Sequence, residues 1–148
     1  MKRLKRLIFG TDDSIASLFL RLALGIVIFP HGAQKAFGWF GGAGLLKTIE
    51  IFSDKMHFPP LLTLLLIFIE VFGSIGLILG FFTRLSALGI GASMAICAYM
   101  NHLQNGFFMN WFGQQKGEGF EFHILVVGIS LSLLIKGGGL LSIDRKVS

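Results

Sequence analysis

The sequence is short of charge and cysteine, and each shortage excludes a class of protein. Only 14% of the 148 residues are charged and 53% are hydrophobic, whereas about 25% of residues are charged in a typical soluble domain. We therefore interpret the chain as an integral membrane protein. The single cysteine, Cys97, lies inside an apolar run. One chain alone therefore cannot build a disulfide, a CxxC redox pair or a thiolate metal site.

The net charge is +5, but no DNA-binding pattern accompanies it. The basic residues stand mostly at the ends of apolar segments, which indicates membrane topology and anionic lipid headgroups and not nucleic acid. Lys2, Arg3, Lys5 and Arg6 precede the first apolar run, as in a signal peptide. That run is too long for a signal peptide and has no small-x-small cleavage motif before Pro30. We expect it to be retained.

Four apolar segments are long enough to cross a bilayer, which takes roughly 20 residues of helix. We expect these spans at 14–37, 59–80, 85–102 and 120–136, with outer loops at 38–58 and 103–119. The tight turn GFFTR makes the second and third spans antiparallel. The sequence therefore predicts an all-α, antiparallel four-helix transmembrane bundle that forms a single integral membrane domain over residues 1–148.

The basic residues also predict the orientation of the chain. Eight lie at the termini and in the GFFTR turn: Lys2, Arg3, Lys5, Arg6, Arg84, Lys136, Arg145 and Lys146. Four lie in or beside the other two loops: Lys35, Lys47, Lys55 and Lys116. Because positive charge is enriched on the cytoplasmic side, both termini are predicted to be cytoplasmic. We expect a multi-pass protein of the bacterial inner membrane.

Two charged residues fall deep inside predicted spans. Arg21 is expected about 10 Å and Glu70 about 15 Å from the inner surface, at 1.5 Å of rise per residue. A charge within a bilayer costs at least about 2.5 kcal/mol and normally has a partner. We therefore expect Arg21 and Glu70 to form a buried pair, which serves either as a structural bridge or as a proton relay.

A second polar group is expected at the outer ends of the spans. We take His31, His102 and Glu121 as candidate catalytic residues. The predicted lining of the same pocket is Gln34, Lys35, Asn105, Asn110, Trp111 and His123. Such a group suits a quinone or another small amphipathic redox molecule, with aromatic rings around it. A metal or haem iron is less favoured, because no HxxxH or HxxE pair is present, and no metal ligand is assigned. The remaining interpretation is helix caps and an interfacial aromatic belt.

Five stretches of the sequence also carry a family resemblance. They are RLALGIVIFPHGAQKAFG, FIEVFGSIGLILGFFTR, HLQNGFFMNW, GEGFEFH and GGGLLSIDR. In their order and spacing they resemble the DoxX family of small four-helix bacterial membrane proteins, over about residues 14–145. The name-giving relatives resemble subunits of a thiosulfate:quinone oxidoreductase, and other members are linked to thiol and oxidative-stress systems with partner enzymes. The resemblance implies functional roles for Arg21, His31, Gln34, Lys35, Glu70, Arg84, His102, Asn105, Glu121 and Asp144.

These observations lead to one main hypothesis and one alternative. The main hypothesis is a membrane subunit of a redox system that binds a quinone in an outer-leaflet pocket and works with a partner oxidoreductase. In it, His31 or His102 exchanges protons with the quinone oxygens and Glu121 tunes that histidine. The alternative is a non-catalytic membrane scaffold or small-molecule carrier. Whether the chain is itself an enzyme, and whether it forms a homo-oligomer, stay open.

Overall fold

The computed structural model describes residues 2–148, except for the side chains of residues 2–4 and 6. Lys2, Arg3 and Arg6, whose positive charges help to predict the orientation, therefore have side chains outside the described part of the structure. Every regular element in 2–148 is helical, which confirms the all-α prediction. The α-helices are α1 (Lys2–Phe9), α2 (Ile15–Phe37), α3 (Leu45–Met56), α4 (Pro60–Phe68), α5 (Ser74–Leu79), α6 (Thr83–Cys97), α7 (Glu121–Lys136) and α8 (Ile143–Val147).

Two of the long helices contain π-helical turns. Ile69–Gly73 is π-helical and joins α4 and α5 into one continuous helix. Ala98–His102 is π-helical and extends α6. By length and composition, two helices suffice to cross a membrane, namely Ile15–Phe37 and Pro60–Leu79. Single π-helical turns occur frequently at functional sites, so the surroundings of both segments are of interest.

The helix ends follow local signals in the sequence. Ser14 caps α2, because its hydroxyl accepts a hydrogen bond from the backbone N–H of Ser17. Pro60 occupies the first turn of α4, where its missing N–H costs nothing. Gly80 ends α5 with a φ of 66°, a left-handed conformation that glycine adopts without strain.

The helices pack against one another in antiparallel pairs. α2 lies along the continuous α4–α5 helix, α6 lies along α7, and α2 also contacts α7. The register of the first pair is visible at two points: the Arg21 side chain reaches the Leu77 carbonyl, and Gly32 lies against the backbone of Glu70. A Cβ atom on Gly32 would lie 2.9 Å from the carbonyl carbon of Glu70, so only glycine permits this approach.

The buried core is an apolar cluster that includes Leu24, Ile28, Leu77, Ile90 and Leu133. Many polar side chains are buried beside it, and many large apolar ones face outward, which is unusual for a soluble domain. The buried polar residues include Ser17, Arg21, Thr63, Glu70, Ser74, Thr83, Ser130 and Asp144. The exposed apolar residues include Phe19, Ile26, Leu61, Phe68, Phe72, Leu85, Leu125 and Ile135. An apolar exterior of this extent is expected where lipid, and not water, surrounds the helices.

Candidate functional site

A partly enclosed cavity of about 310 Å³ lies between the helices. It is bounded by the last turns of α2, by α3, and by the two π-helical segments together with the start of α7. Its wall is mainly apolar and includes the rings of Phe52, Phe58 and Phe122. The polar residues on the wall are His31, Lys35, Glu70, Asn101, His102, Glu118 and His123. A small number of polar groups in an apolar cleft is typical of a small-molecule site.

An ion pair forms part of this wall. The Nζ atom of Lys35 lies 2.7 Å from Oε2 and 3.0 Å from Oε1 of Glu70. The side chain of Glu70 is only 2% exposed, whereas that of Lys35 is 25% exposed. Burying a carboxylate is costly unless a cation compensates it, so the ammonium of Lys35 offsets the cost of burying Glu70.

The predicted Arg21–Glu70 pair is wrong, although both residues are buried. Glu70 lies against Gly32, eleven residues along α2 from Arg21, which corresponds to roughly 16 Å of helix. The expected depths of Arg21 and Glu70 were counted from the start of α2 and from Gly80, as if these two points lay at the same height in the membrane. In the structure the end of α5 is level with Arg21 instead, which moves Glu70 close to Lys35.

Arg21 has a different set of partners, all of them backbone carbonyls. Its Nε atom donates to Gly138, Nη1 donates to Leu77 and Ile78, and Nη2 donates to Leu140 and Leu141. All five N–H groups of the guanidinium are therefore satisfied. Leu77 and Ile78 lie in the last turn of α5, where a cation is favoured by the helix dipole. Arg21 thus ties α2 to the end of α5 and to the glycine-rich C-terminal turn.

Two of the histidines predicted at the site approach each other, and the third lines the same cavity. The rings of His102 and His123 have centroids 4.3 Å apart. The ring of His31 lies 6.5 Å from that of Phe122, and the His31 carbonyl accepts a hydrogen bond from Nζ of Lys35 at 3.4 Å. All three histidines line the cavity. The structure therefore brings His31, His102 and His123 to one site.

Glu121 does not contact these histidines. Its Oε1 atom accepts hydrogen bonds from the backbone N–H of Met109 at 2.8 Å and from Nε1 of Trp111 at 3.2 Å. It therefore holds the loop between α6 and α7, and a carboxylate at the start of α7 also suits the helix dipole. The predicted role of Glu121 in tuning a histidine is wrong.

Four predicted lining residues also lie outside the cavity. Gln34 donates to the carbonyl of Phe40 in the turn after α2. Asn105 donates to the carbonyls of Asn101 and Glu118. Asn110 forms hydrogen bonds with Gln115 within the loop between α6 and α7, and Trp111 is 78% exposed. These polar groups satisfy loop backbone, a use that is common for asparagine.

Sequence reasoning missed the sulfur atoms of the site. The cavity is lined by all four methionines among the described residues, namely Met56, Met94, Met100 and Met109, and by Cys97. It also missed α3, which supplies Phe52 and Met56 from a stretch predicted to be an outer loop. The methionine positions were visible in the sequence, but no periodic pattern joins residues so distant along the chain.

The sequence reasoning excluded a thiolate metal site, but it did not foresee that three potential metal ligands lie close together. Cys97 lies beside His102 and His123, and one ligand atom from each residue lies within 4.8 Å of the other two. One cysteine suffices where two imidazoles complete the ligand set.

Comparisons with known proteins match the chain to one family and to an inner membrane protein. The DoxX family model matches residues 16–103, which is more than half of the 148 residues. The chain is also similar to the inner membrane protein YphA of Escherichia coli (strain K12). The two are 25% identical over 150 residues, which covers 99% of this chain and 100% of that protein. No solved structure matches the chain significantly.

Proposed function

The chain belongs to the DoxX family, and we propose that it is the membrane subunit of a redox system that binds a quinone or a similar flat electron carrier in the cavity. It is a membrane protein, and the inner membrane location of its relative YphA supports the same location here. Its four long helical units would be α2, α4–α5, α6 with its π-helical extension, and α7. We place both termini in the cytoplasm, as the distribution of basic residues predicts.

The cavity is the observation that supports this proposal. Its volume of about 310 Å³ falls at the lower end of the range for small-molecule pockets. Phe52, Phe58 and Phe122 offer aromatic faces for a flat ring. His31 and the Lys35–Glu70 pair offer hydrogen-bonding groups on the α2 side. An apolar slot with a few polar groups matches the chemistry of a quinone head group.

The chain would supply binding and proton exchange, and a partner oxidoreductase would supply the electrons. Reduction of a quinone to a quinol takes two electrons and two protons. In our proposal His31 passes one proton to a quinone oxygen and is reprotonated from solvent, and the second proton reaches the other quinone oxygen from solvent. Lys35 also lies within the wall, where its ammonium can stabilise negative charge that develops on the reduced ring. The Glu70 carboxylate orients Lys35, because both of its oxygens accept hydrogen bonds from Nζ.

Quinone binding to purified protein tests the proposal. We expect titration of a short-chain ubiquinone analogue into the full chain in detergent to give saturable binding, with one quinone per chain. His31→Ala should weaken it by roughly tenfold, the loss of about one buried hydrogen bond. The matched control is His57→Ala, because His57 is exposed and does not line the cavity. The absence of saturable binding to the unaltered protein would refute the proposal.

The methionine-rich wall favours a second candidate, a carrier of small apolar molecules. Methionine side chains are flexible and adapt to ligands of different shape, and four of them line this cavity. Binding of several unrelated apolar molecules as tightly as a quinone would support the carrier. Selective binding of quinones, together with a copurifying oxidoreductase, would support the redox subunit.

A further inference from the structure

Three side chains that can bind metal lie close together in the cavity wall. Cys97 ends α6, His102 ends its π-helical extension, and His123 lies in the first turn of α7. One ligand atom from each lies within 4.8 Å of the other two. Ligand atoms bound to one ion lie about 3.5 Å apart, given bonds of roughly 2.0 to 2.3 Å. Small side-chain rotations would therefore allow all three to reach a single ion.

The state of His123 points independently to a ligand. Its side chain lines the cavity, the residue is 6% exposed, and its Nδ1 atom has no hydrogen-bond partner among the described residues. A buried polar atom without a partner costs about 1 to 3 kcal/mol. The ring would avoid this cost if it bound a group located in the cavity.

The other two side chains are already oriented by their neighbours. Nδ1 of His102 lies 2.9 Å from the carbonyl oxygen of Glu118. Because a carbonyl only accepts hydrogen bonds, Nδ1 must carry the proton, which leaves the lone pair on Nε2. Histidines that bind metals commonly use such a carbonyl to hold the ring. Nδ2 of Asn101 donates to Sγ of Cys97 at 3.9 Å, which helps to fix the position of the sulfur.

We propose that Cys97, His102 and His123 bind one copper(I) ion. A thiolate with two imidazoles is a soft ligand set that suits copper. Met94 and Met100 line the same cavity, and their thioethers are copper ligands but not usual zinc ligands. On binding, the S–H bond of Cys97 breaks, a copper–sulfur bond forms, and the thiol proton passes to solvent.

This site goes beyond the quinone proposal and does not depend on it. The copper ligands come from α6, its extension and α7, whereas His31 and Lys35 come from α2. A copper titration of quinone-free protein therefore reports on the metal site alone. Either proposal can fail while the other stands.

The test is a copper(I) titration of the purified full-length protein. The protein is stripped of metal and titrated without oxygen against a chromogenic copper(I) chelator. We expect one tightly bound copper per chain. Cys97→Ser and His123→Asn should each weaken binding by at least about tenfold. His57→Asn is the matched control and should leave the affinity unchanged, since His57 lies outside the cluster.

X-ray absorption of the copper-loaded, unaltered protein provides a second readout that does not require a folded variant. Sulfur and nitrogen neighbours around copper would support the site. Only nitrogen or oxygen neighbours would overturn it. Two further results would also overturn it: copper affinity that survives Cys97→Ser, or a preference of the same three residues for zinc over copper(I).

Discussion

At the scale of single residues, the buried charges distinguish this protein from an apolar helix bundle. Arg21 and Glu70 could be identified from the sequence, because charges are rare in long apolar segments. Their partners could not, because a shift in register between two helices moves an expected contact by many ångströms. Glu70 pairs with Lys35, and Arg21 binds five carbonyls. The apolar segments around a charged residue predict that it is buried, but the register between two helices decides which residue it pairs with.

The Lys35–Glu70 pair predicts unequal effects of its two single substitutions. Lys35→Met leaves the Glu70 carboxylate, 2% exposed, without its cation. We expect a loss of roughly 3 kcal/mol in the free energy of unfolding. Glu70→Gln leaves a lysine that is 25% exposed and can reach solvent, so the loss should be about 1 kcal/mol. Thermal unfolding in one detergent measures both.

The double variant completes this cycle. Lys35→Met with Glu70→Gln removes both charges, so it should be more stable than Lys35→Met alone. Equal losses for the two single variants, with no recovery in the double variant, would show that the ion pair contributes little.

At the scale of helices, the end points were predictable and the irregular turns were not. Ser14, Pro60 and Gly80 marked helix ends that the structure has. Neither π-helical segment was predicted, because such a turn arises from one extra residue in an otherwise apolar helix and leaves no periodic signal. Yet Glu70 lies in the first and His102 in the second. Residues of both π-helical segments line the cavity, so its lining could be predicted less well than the helices around it.

Close packing of α2 against the π-helical segment predicts opposite outcomes for two glycine substitutions. In Gly32→Ala the new methyl group would lie 2.9 Å from backbone atoms of Glu70 and Val71. We expect a loss of about 2 kcal/mol in stability. A methyl group added to Gly128, in α7, would meet nothing within 4 Å, so Gly128→Ala should gain up to about 1 kcal/mol. Two equal melting temperatures would contradict this account of the helix contact.

The C-terminal segment predicts another matched pair. The Asp144 carboxylate is buried and accepts 2.8 Å hydrogen bonds from the backbone N–H groups of Phe82 and Thr83. It therefore caps α6, and Asp144→Asn should cost about 2 kcal/mol. Asp13 pairs with Arg145 at an exposed site, so Asp13→Asn should change little. Chemical unfolding of both variants tests the comparison, and equal losses for the two would contradict a stabilising role of the buried Asp144 carboxylate.

At the scale of the whole molecule, the account predicts a bundle with both termini in the cytoplasm. Cys97 is the only cysteine, so a Cys97→Ser background allows single cysteines to be placed elsewhere. The labelling uses cells whose outer membrane is permeable and whose inner membrane is intact. In these cells a membrane-impermeant maleimide should label Gln114→Cys, in the loop that is predicted to face outward. Ser148→Cys should react only after lysis. Labelling of Ser148→Cys in intact cells would reverse the proposed orientation.

The central claim is that a quinone occupies the cavity between the helices, and photoaffinity labelling tests it most directly. A photoreactive quinone is bound to the full chain in membranes, irradiated, and mapped by mass spectrometry. We predict adducts near His31 and Lys35 and on the α3 residues Phe52 and Met56, all of which line the cavity, and we predict that unlabelled quinone displaces them. Adducts confined to outward-facing residues such as Phe68 and Leu125, unaffected by unlabelled quinone, would contradict the claim.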